Sequence, residues 1–177
     1  MEALSEVLEH APVRLVPLED EHLGPLRAAC KLDSEIWDIY PVNLGGDGFD
    51  EALRLWRSSG WVNFAVIDTR SEALVGTTSY IRPTPFGVVE IGATYITPEV
   101  RGGPFNRAMK KLLIEHAFAC GYYKVELRAD SRNKRSMAAI SKLGAKHEGT
   151  LRANMVTWTG YRCDTAVFGL LKDEWDG

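Results

Sequence analysis

Two short polar segments hold the residue types and spacings from which chemistry could be built. The first, "PEVRGGPFNRAMKK" (Pro98 to Lys111), runs from a β-like segment through two glycines into a helical pattern. In that arrangement the backbone N–H groups of a helix start can face a phosphate. Pro104 donates no N–H, but at the first position of a helix that group would be unpaired anyway, and proline's φ is already helical. The amides of Gly102, Gly103, Phe105 and Asn106 remain to meet an anion, with Arg101 and Arg107 flanking them. The same letters also fit a tight turn opening a proline-started helix that binds nothing. The second segment, "DSRNKRS", follows the next strand-like run and starts another helix, so the two helix starts are expected on the same side of a sheet. Around it Arg128, Arg132, Lys134 and Arg135 form the densest basic cluster of the chain, which taken alone also reads as a solvated helix start.

Elsewhere the candidates are sparser. His116 and Cys120 lie one helical turn apart, the spacing of a metal pair, but no further ligand cluster accompanies them, and core packing explains them better; no metal is expected. Trp37, Tyr40 and Trp56 fall at helical spacing and could line an acceptor pocket or belong to a core.

These segments need elements to position them. From Trp61 the pattern is period two: "WVNFAVID", "LVGTTSYIR" and "VVEIGATYI" are separated by turn-like "TRSEA" and "PTPFG", which predicts three antiparallel strands. "VRLVPL" (Val13 to Leu18) precedes them as a short strand, followed by a helix expected to split or kink at Gly24-Pro25. A Gly-rich turn leads into an amphipathic helix through Phe49, Leu53 and Trp56, completing a helical flap. After the glycine loop, Phe105, Ala108, Met109, Leu112, Leu113 and His116 keep helical spacing up to a stop near Gly121. "YYKVELRA" is the next strand, "NKRSMAAISKLG" a helix, and the remainder a long hairpin turning at "TGYR". A strand, helix, strand order around "GGPFN" demands a parallel crossover, so the sheet is expected to be mixed.

Composition bounds the class. A chain of 177 residues with 45% apolar and 25% charged residues fits one soluble unit, 1–177, divided into strand plus flap (1–60), central sheet and loop-helix (61–130), and helix plus hairpin (131–177). No apolar run approaches the roughly 20 residues of a membrane span. The acidic start "MEALSEVLEHAP" lacks the features of a secretory signal, so a cytoplasmic location is expected. Cys30, Cys120 and Cys163 are widely separated and read as small core residues rather than a disulfide framework. A net charge of −3 argues against bulk binding to nucleic acid.

With these segments in view, the chain resembles the GNAT N-acetyltransferase superfamily, and within it the branch of ribosomal-protein N-terminal acetyltransferases. The resemblance spans nearly the whole chain. It is carried by "VRLVPL" with "EH" soon after, "EIGATYITPEVRGGPFN", "KKLLIEHAF", "VELRADSRNKRSMAAISKLGAKHEGTLR" and "DTAVFGLLKDEW". It implies an α/β (α+β) fold with a mixed, mostly antiparallel sheet flanked by helices. Two parallel strands, Val88 to Ile96 and Tyr122 to Ala129, would splay apart to admit the pantetheine arm of acetyl-coenzyme A. The pyrophosphate would sit at Arg101 to Arg107, with Asn133, Arg135 and Ser136 also near the coenzyme. One departure is that the family loop carries glycine where this chain has Pro104.

The implied reaction moves an acetyl group to a primary amine by direct attack, with no covalent enzyme intermediate. Glu90, on the strand bordering the cleft, would serve as base, directly or through water; alternatively it is an ordinary strand carboxylate facing solvent. Backbone amides beside Thr94, Tyr95 and Ile96 would polarise the thioester carbonyl. The tyrosine acid common in the family is replaced by Ile140, leaving Ser136 to protonate the thiolate; structurally, Asn133 also reads as an N-cap and Ser136 as a first-turn residue. The acceptor could be a protein N-terminus or a small amine, and acidic residues Asp33, Glu35, Asp38, Asp47, Asp50 and Glu51 in the flap hint at a cationic one. The alternative is a non-catalytic acyl-coenzyme A binding or regulatory module with a degenerate site. The final hairpin and Trp175 could form a homodimer surface.

Overall fold

The period-two segments form strands β1 (Leu8–His10), β2 (Val13–Pro17), β3 (Val62–Asp68), β4 (Ala73–Ile81), β5 (Val88–Ile96), β6 (Lys124–Asp130), β7 (Lys146–Val156) and β8 (Arg162–Leu171) in the computed structural model. It describes residues 4–177; the first three residues of the acidic start lie outside the described residues. One eight-stranded sheet results, ordered β1-β2-β3-β4-β5-β6-β8-β7. Every neighbouring pair is antiparallel except β5 and β6, which are parallel because a helix links them. The helices are α1 (Asp20–Cys30), α2 (Phe49–Ser58), α3 (Phe105–Ala119) and α4 (Lys134–Ser141). Among the described residues no helix is long and apolar enough to cross a membrane.

Strand alternation divides the core. Val89, Ile91, Val125, Leu127, Phe168 and Leu170 face α3 and α4, meeting Met109, Leu113, Ile114 and Ile140. On the other face Ala65 and Tyr95 pack under α1 and α2 against Leu26, Trp37, Phe49 and Leu53. Each such large side chain, once fully buried, contributes about 1.5–3 kcal/mol.

Two expectations need correction. The helix around Gly24-Pro25 is continuous, because Pro25 lies in the second turn, where it removes a single internal bond while Leu26, Ala29 and Cys30 anchor the helix. A short edge strand, β1, precedes the expected first strand. Trp175 packs partly against the core, with its Nε1 buried and without a hydrogen-bond partner among the described residues.

Two irregularities position the site. Parallel pairing of β5 with β6 stops at Glu90–Glu126, after only Val88–Lys124 and Val89–Val125. Beyond it β5 stays with β4 and β6 with β8, so the two strands part. Near this point Thr77 pairs with Tyr95 and Ser79 with Gly92, which leaves Ala93 and Thr94 opposite Thr78 in a β-bulge. Ala93 takes a left-handed φ of 47°, a conformation costing a residue with a Cβ about 1–2 kcal/mol. The bulge segment also lies tightly on β4, since a Cβ on Gly76 would come 2.0 Å from the Tyr95 carbonyl oxygen.

Candidate active site

The gap between β5 and β6 has a polar wall. Tyr95 presents its carbonyl to Gly76 and Thr97 donates its N–H to the Val75 carbonyl, so those peptide groups face β4. Strand alternation turns Thr94 and Ile96 the other way, toward the gap. Their carbonyls accept hydrogen bonds there, Thr94 from the Tyr40 hydroxyl at 2.7 Å and Ile96 from Arg101 Nε at 2.7 Å. Their N–H groups face the same side, past the point where β6 could pair with them. Burial pushes the Tyr40 phenol up to about 12, against the opposing charges of Arg101 and Arg135.

At the α3 start, Pro104 immediately precedes the helix with helical dihedrals, φ −72° and ψ −12°. Its carbonyl accepts the first helical bond, from Ala108 N–H at 2.9 Å. Among the described residues no protein acceptor takes a hydrogen bond from the N–H of Gly102, Gly103, Phe105, Asn106 or Arg107. Gly102 has a φ of +76°, and a Cβ on it or on Gly103 would meet nothing within 4 Å, so the amide cradle is open. The residues present therefore fit a bound pyrophosphate, with Pro104 contributing no amide of its own.

Arg101, expected to flank the loop, is not a free cation. It turns inward to pair with Asp33 and lies 5.3 Å from the Tyr95 ring centroid, and its Nη2 is buried without a partner. Burial acts to raise the Asp33 pKa, but the Arg101 hydrogen bond and charge hold it below the usual carboxylate range. The Phe105 side chain is likewise core, leaving only its amide to the cradle. Arg107 is exposed. At the α4 start Asn133 Oδ1 caps the helix by accepting from Ser136 N–H at 3.0 Å, while Lys134 and Arg135 are exposed. Arg132 pairs with Asp130 and lies 3.9 Å from the Tyr161 ring centroid.

Glu90 lies at the vertex where the strands part, on the face opposite α3. Its carboxylate accepts from Arg82 and lies 3.4 Å from Arg128 Nε, so it is not a solvent-facing strand carboxylate. Arg128 also donates to Glu126 at 3.1 Å, and Lys124 continues the row to Glu126 at 3.4 Å and to Glu148 at 2.7 Å. Arg128 is thus committed to carboxylates rather than to the basic cluster of the α4 start. A cleft of about 350 Å³ opens beside Glu90 and Glu126, lined also by Arg82, Arg128 and Phe86, whose side chain is 88% exposed.

The three flap aromatics separate. Trp37 is fully buried, stacked on Tyr95 at 4.7 Å, with Nε1 donating to the Cys30 carbonyl; it is a core residue and lines no pocket. Trp56 is half-buried and stacks on Trp61 at 5.7 Å. Only Tyr40 reaches the gap. Sequence reasoning missed the hairpin tip that holds this segment, where Trp158 donates from Nε1 to the Trp37 carbonyl at 3.0 Å and from its backbone to the Tyr40 carbonyl at 3.2 Å. It also missed Lys110, although helical spacing from Leu113, Ile114 and Ala117 puts that residue on the inner stripe of α3. His116 Nε2 lies 3.5 Å from Cys120 Sγ, and among the described residues no group of three or more His, Cys, Asp or Glu converges on a metal position.

Residues 13–146 match the family model of the acetyltransferase (GNAT) domain. The chain belongs to the GNAT acetyltransferase family. As a GNAT protein it is an acetyl-coenzyme A-dependent N-acetyltransferase. It is similar to a probable GNAT-family acetyltransferase of Chromobacterium violaceum, at 31% identity over 100% of this chain and 91% of that one, with a TM-score of 0.90. It also resembles a solved acetyltransferase of T. thermophilus, at 32% identity over 99% of this chain and 94% of that one, with a TM-score of 0.85. The fold extends to the spermidine N-acetyltransferase of Vibrio cholerae, solved in complex with CoA and spermine, at 19% identity over 93% of this chain and 98% of that one, with a TM-score of 0.77. No curated protein matches the chain.

Proposed function

We propose that this GNAT enzyme acetylates a primary amine, a protein N-terminus or a small cationic amine, by direct attack of the amine on the acetyl group. The observation that carries the reading is the vertex at Glu90–Glu126, where the gap flanked by the Thr94 and Ile96 N–H groups meets the cleft containing Glu90. The amides of Gly102, Gly103, Phe105, Asn106 and Arg107 hold the pyrophosphate, assisted by the Arg107 and Arg135 side chains and by the polar α4 start at Asn133. Acetyl-coenzyme A supplies the electrophilic carbonyl and a thiolate leaving group. The N–H groups of Thr94 and Ile96 stabilise the charge that develops on the carbonyl oxygen.

An acceptor ammonium replaces Arg82, whose side chain is 60% exposed, as the partner of Glu90. Glu90 then takes one proton from that ammonium, directly or through a water, which frees the nitrogen lone pair for attack, and the second nitrogen proton passes to solvent as the C–N bond forms. As the C–N bond forms and the C–S bond breaks, the Ser136 hydroxyl gives its proton to the departing sulfur and regains one from solvent. A carboxylate at the meeting point favours cationic acceptors, and the structural neighbour holding spermine supports the same chemical class.

Calorimetric titration with acetyl-coenzyme A, repeated on Pro104→Gly, tests the cradle. Micromolar binding by the native protein supports it, whereas no binding that Pro104→Gly restores removes it. Thiol release with amine acceptors then tests the base. Glu90→Gln is expected to lower kcat by about 100-fold or more with the coenzyme Kd unchanged. A Glu90→Gln enzyme of full rate would eliminate that assignment.

A further inference from the structure

Lys110 is a buried cation that the proposed chemistry leaves unused. It projects from the inner stripe of α3 beside Met109, Leu113 and Ile114, and only 7% of it is exposed. Its Nζ donates to Thr94 Oγ1 at 2.6 Å, and that hydroxyl shares a second hydrogen bond with Thr78 Oγ1 at 2.8 Å. Thr94 Oγ1 in turn lies 3.3 Å from the Gly92 carbonyl, so the contact ties α3 to both ends of the bulge at Ala93. Burial pushes the ammonium down to about 7, and no charged side chain acts against it.

The surrounding elements explain why. Core residues Val13 and Leu15 of β2, Val89 and Ile91 of β5, and Val125 and Leu127 of β6 face α3. The charged residues between them, Arg14, Glu90, Glu126 and Arg128, therefore face away. The titratable groups on the α3 side include Tyr80, whose hydroxyl donates to the Leu113 carbonyl at 2.6 Å, Tyr122, Cys120, His116 on α3 itself, exposed His10 on β1, Asp68 at the end of β3, which is paired with Arg70, and Lys172, which donates to the Phe118 carbonyl at 2.9 Å. On the outer side of α3, Lys111 and Glu115 pair with each other. A cation without a carboxylate in such a place is destabilising, so its presence asks for a role outside stability.

We propose that Lys110 is a positioning residue for acetyl transfer: acting through Thr94 Oγ1, it fixes the bulge and puts a positive charge behind the strand whose Thr94 and Ile96 N–H groups face the gap. Negative charge developing on the acetyl carbonyl oxygen is stabilised by that cation across one strand, in an interior where water does little screening. The inference rests on the placement of the acetyl group at those amides, as proposed above.

The first measurement needs no coenzyme. In the native protein the Thr94 and Ile96 amide resonances are expected to titrate with a midpoint near pH 7, and in Lys110→Met this step is expected to vanish. Kinetics provide the second. Lys110→Met is expected to lower kcat about 10-fold near pH 6, with the deficit shrinking toward nothing by about pH 9, where the native lysine is neutral. The acetyl-coenzyme A Kd should stay within about twofold. Thr94→Val should reproduce the kinetic loss, and the double variant should add nothing further. Amides that do not titrate near pH 7, a rate ratio independent of pH, or additive losses in the double variant would each overturn the inference. A native protein that transfers no acetyl group would instead overturn the functional reading, while the amide titration would still report on the Lys110 contact.

Discussion

Lys110 and Lys124 lie on opposite faces of the same sheet, and burial acts on both in the same direction, yet they end in opposite states. The Lys124 side chain is 19% exposed, with Glu148 at 2.7 Å and Glu126 at 3.4 Å. Burial pulls its pKa down, but the two carboxylates more than offset this and hold it above the ordinary lysine value. Lys110 finds only the Thr94 hydroxyl, and burial takes it down to about 7. Lys110 is both the deeper of the two and the one without a counter-charge, and it is the pair of carboxylates that keeps Lys124 charged despite its own burial. On the open face the counter-charges form a row from Arg82 through Glu90, Arg128, Glu126 and Lys124 to Glu148, whereas under α3 the Lys110 ammonium meets a pair of threonine hydroxyls, Thr94 and Thr78.

The comparison is most exposed to test at Lys110. Lys110→Met, close in volume, is expected to stabilise the fold by on the order of 3 kcal/mol at neutral and lower pH. The sign follows from the lowered pKa: between about pH 7 and the unfolded lysine value near 10.4 the unfolded chain binds more protons, so native stability rises with pH and the gain from Met fades. Urea unfolding across that range measures it, and a loss at pH 7 would break the contrast. Next comes Glu90→Gln, which leaves Arg128 with Glu126 as its one carboxylate partner and removes the partner of Arg82. The expected loss is about 2 kcal/mol, less than for a fully buried pair because Arg82 can turn to solvent. Unchanged stability would mean that the row on the open face is electrostatically idle.

Smaller effects sharpen the same rule. Asp33→Asn, which removes the partner of inward-facing Arg101, is expected to cost about 1 kcal/mol near pH 7. Because the Asp33 pKa is lowered in the folded state, its stabilisation is present above the ordinary carboxylate range and is lost as pH falls through the folded value. A thermal unfolding series in acid should therefore bring the two proteins together. The smallest change belongs to Glu148→Gln, at the half-exposed end of the row, with about 0.5 kcal/mol or less, and high salt should erase it.

Much of the fold was legible because it depends on neighbours in the chain. "VVEIGATYI" reads as a strand by its apolar residues and corresponds to β5, Val88–Ile96. Asn133 reads as a cap and accepts from the N–H three residues on. The loop before α3 likewise keeps its free amides despite Pro104, since a helix start leaves such groups unpaired whatever follows. The site was legible only in part. Glu90 read equally as a residue bordering a cleft or as a strand carboxylate facing solvent, and nothing adjacent in the chain announced Arg128 as its neighbour. Trp37 looked like a pocket residue because helical spacing cannot tell an aromatic under a helix from one beside a cleft.

The order of residues by itself determined which segments are strands and helices, that one strand pair must be parallel, and where an amide cradle for an anion would lie. These follow from local rules of period, capping and turn geometry, which act over a few residues. Tertiary structure decided which charges meet. Lys110 reaches Thr94 across 16 residues of chain, Tyr40 reaches the Thr94 carbonyl across 54, and Asp33 reaches Arg101 across 68. The charge of a buried lysine, or the direction an arginine faces, depends on dielectric and on partners that exist only once the sheet has closed around them.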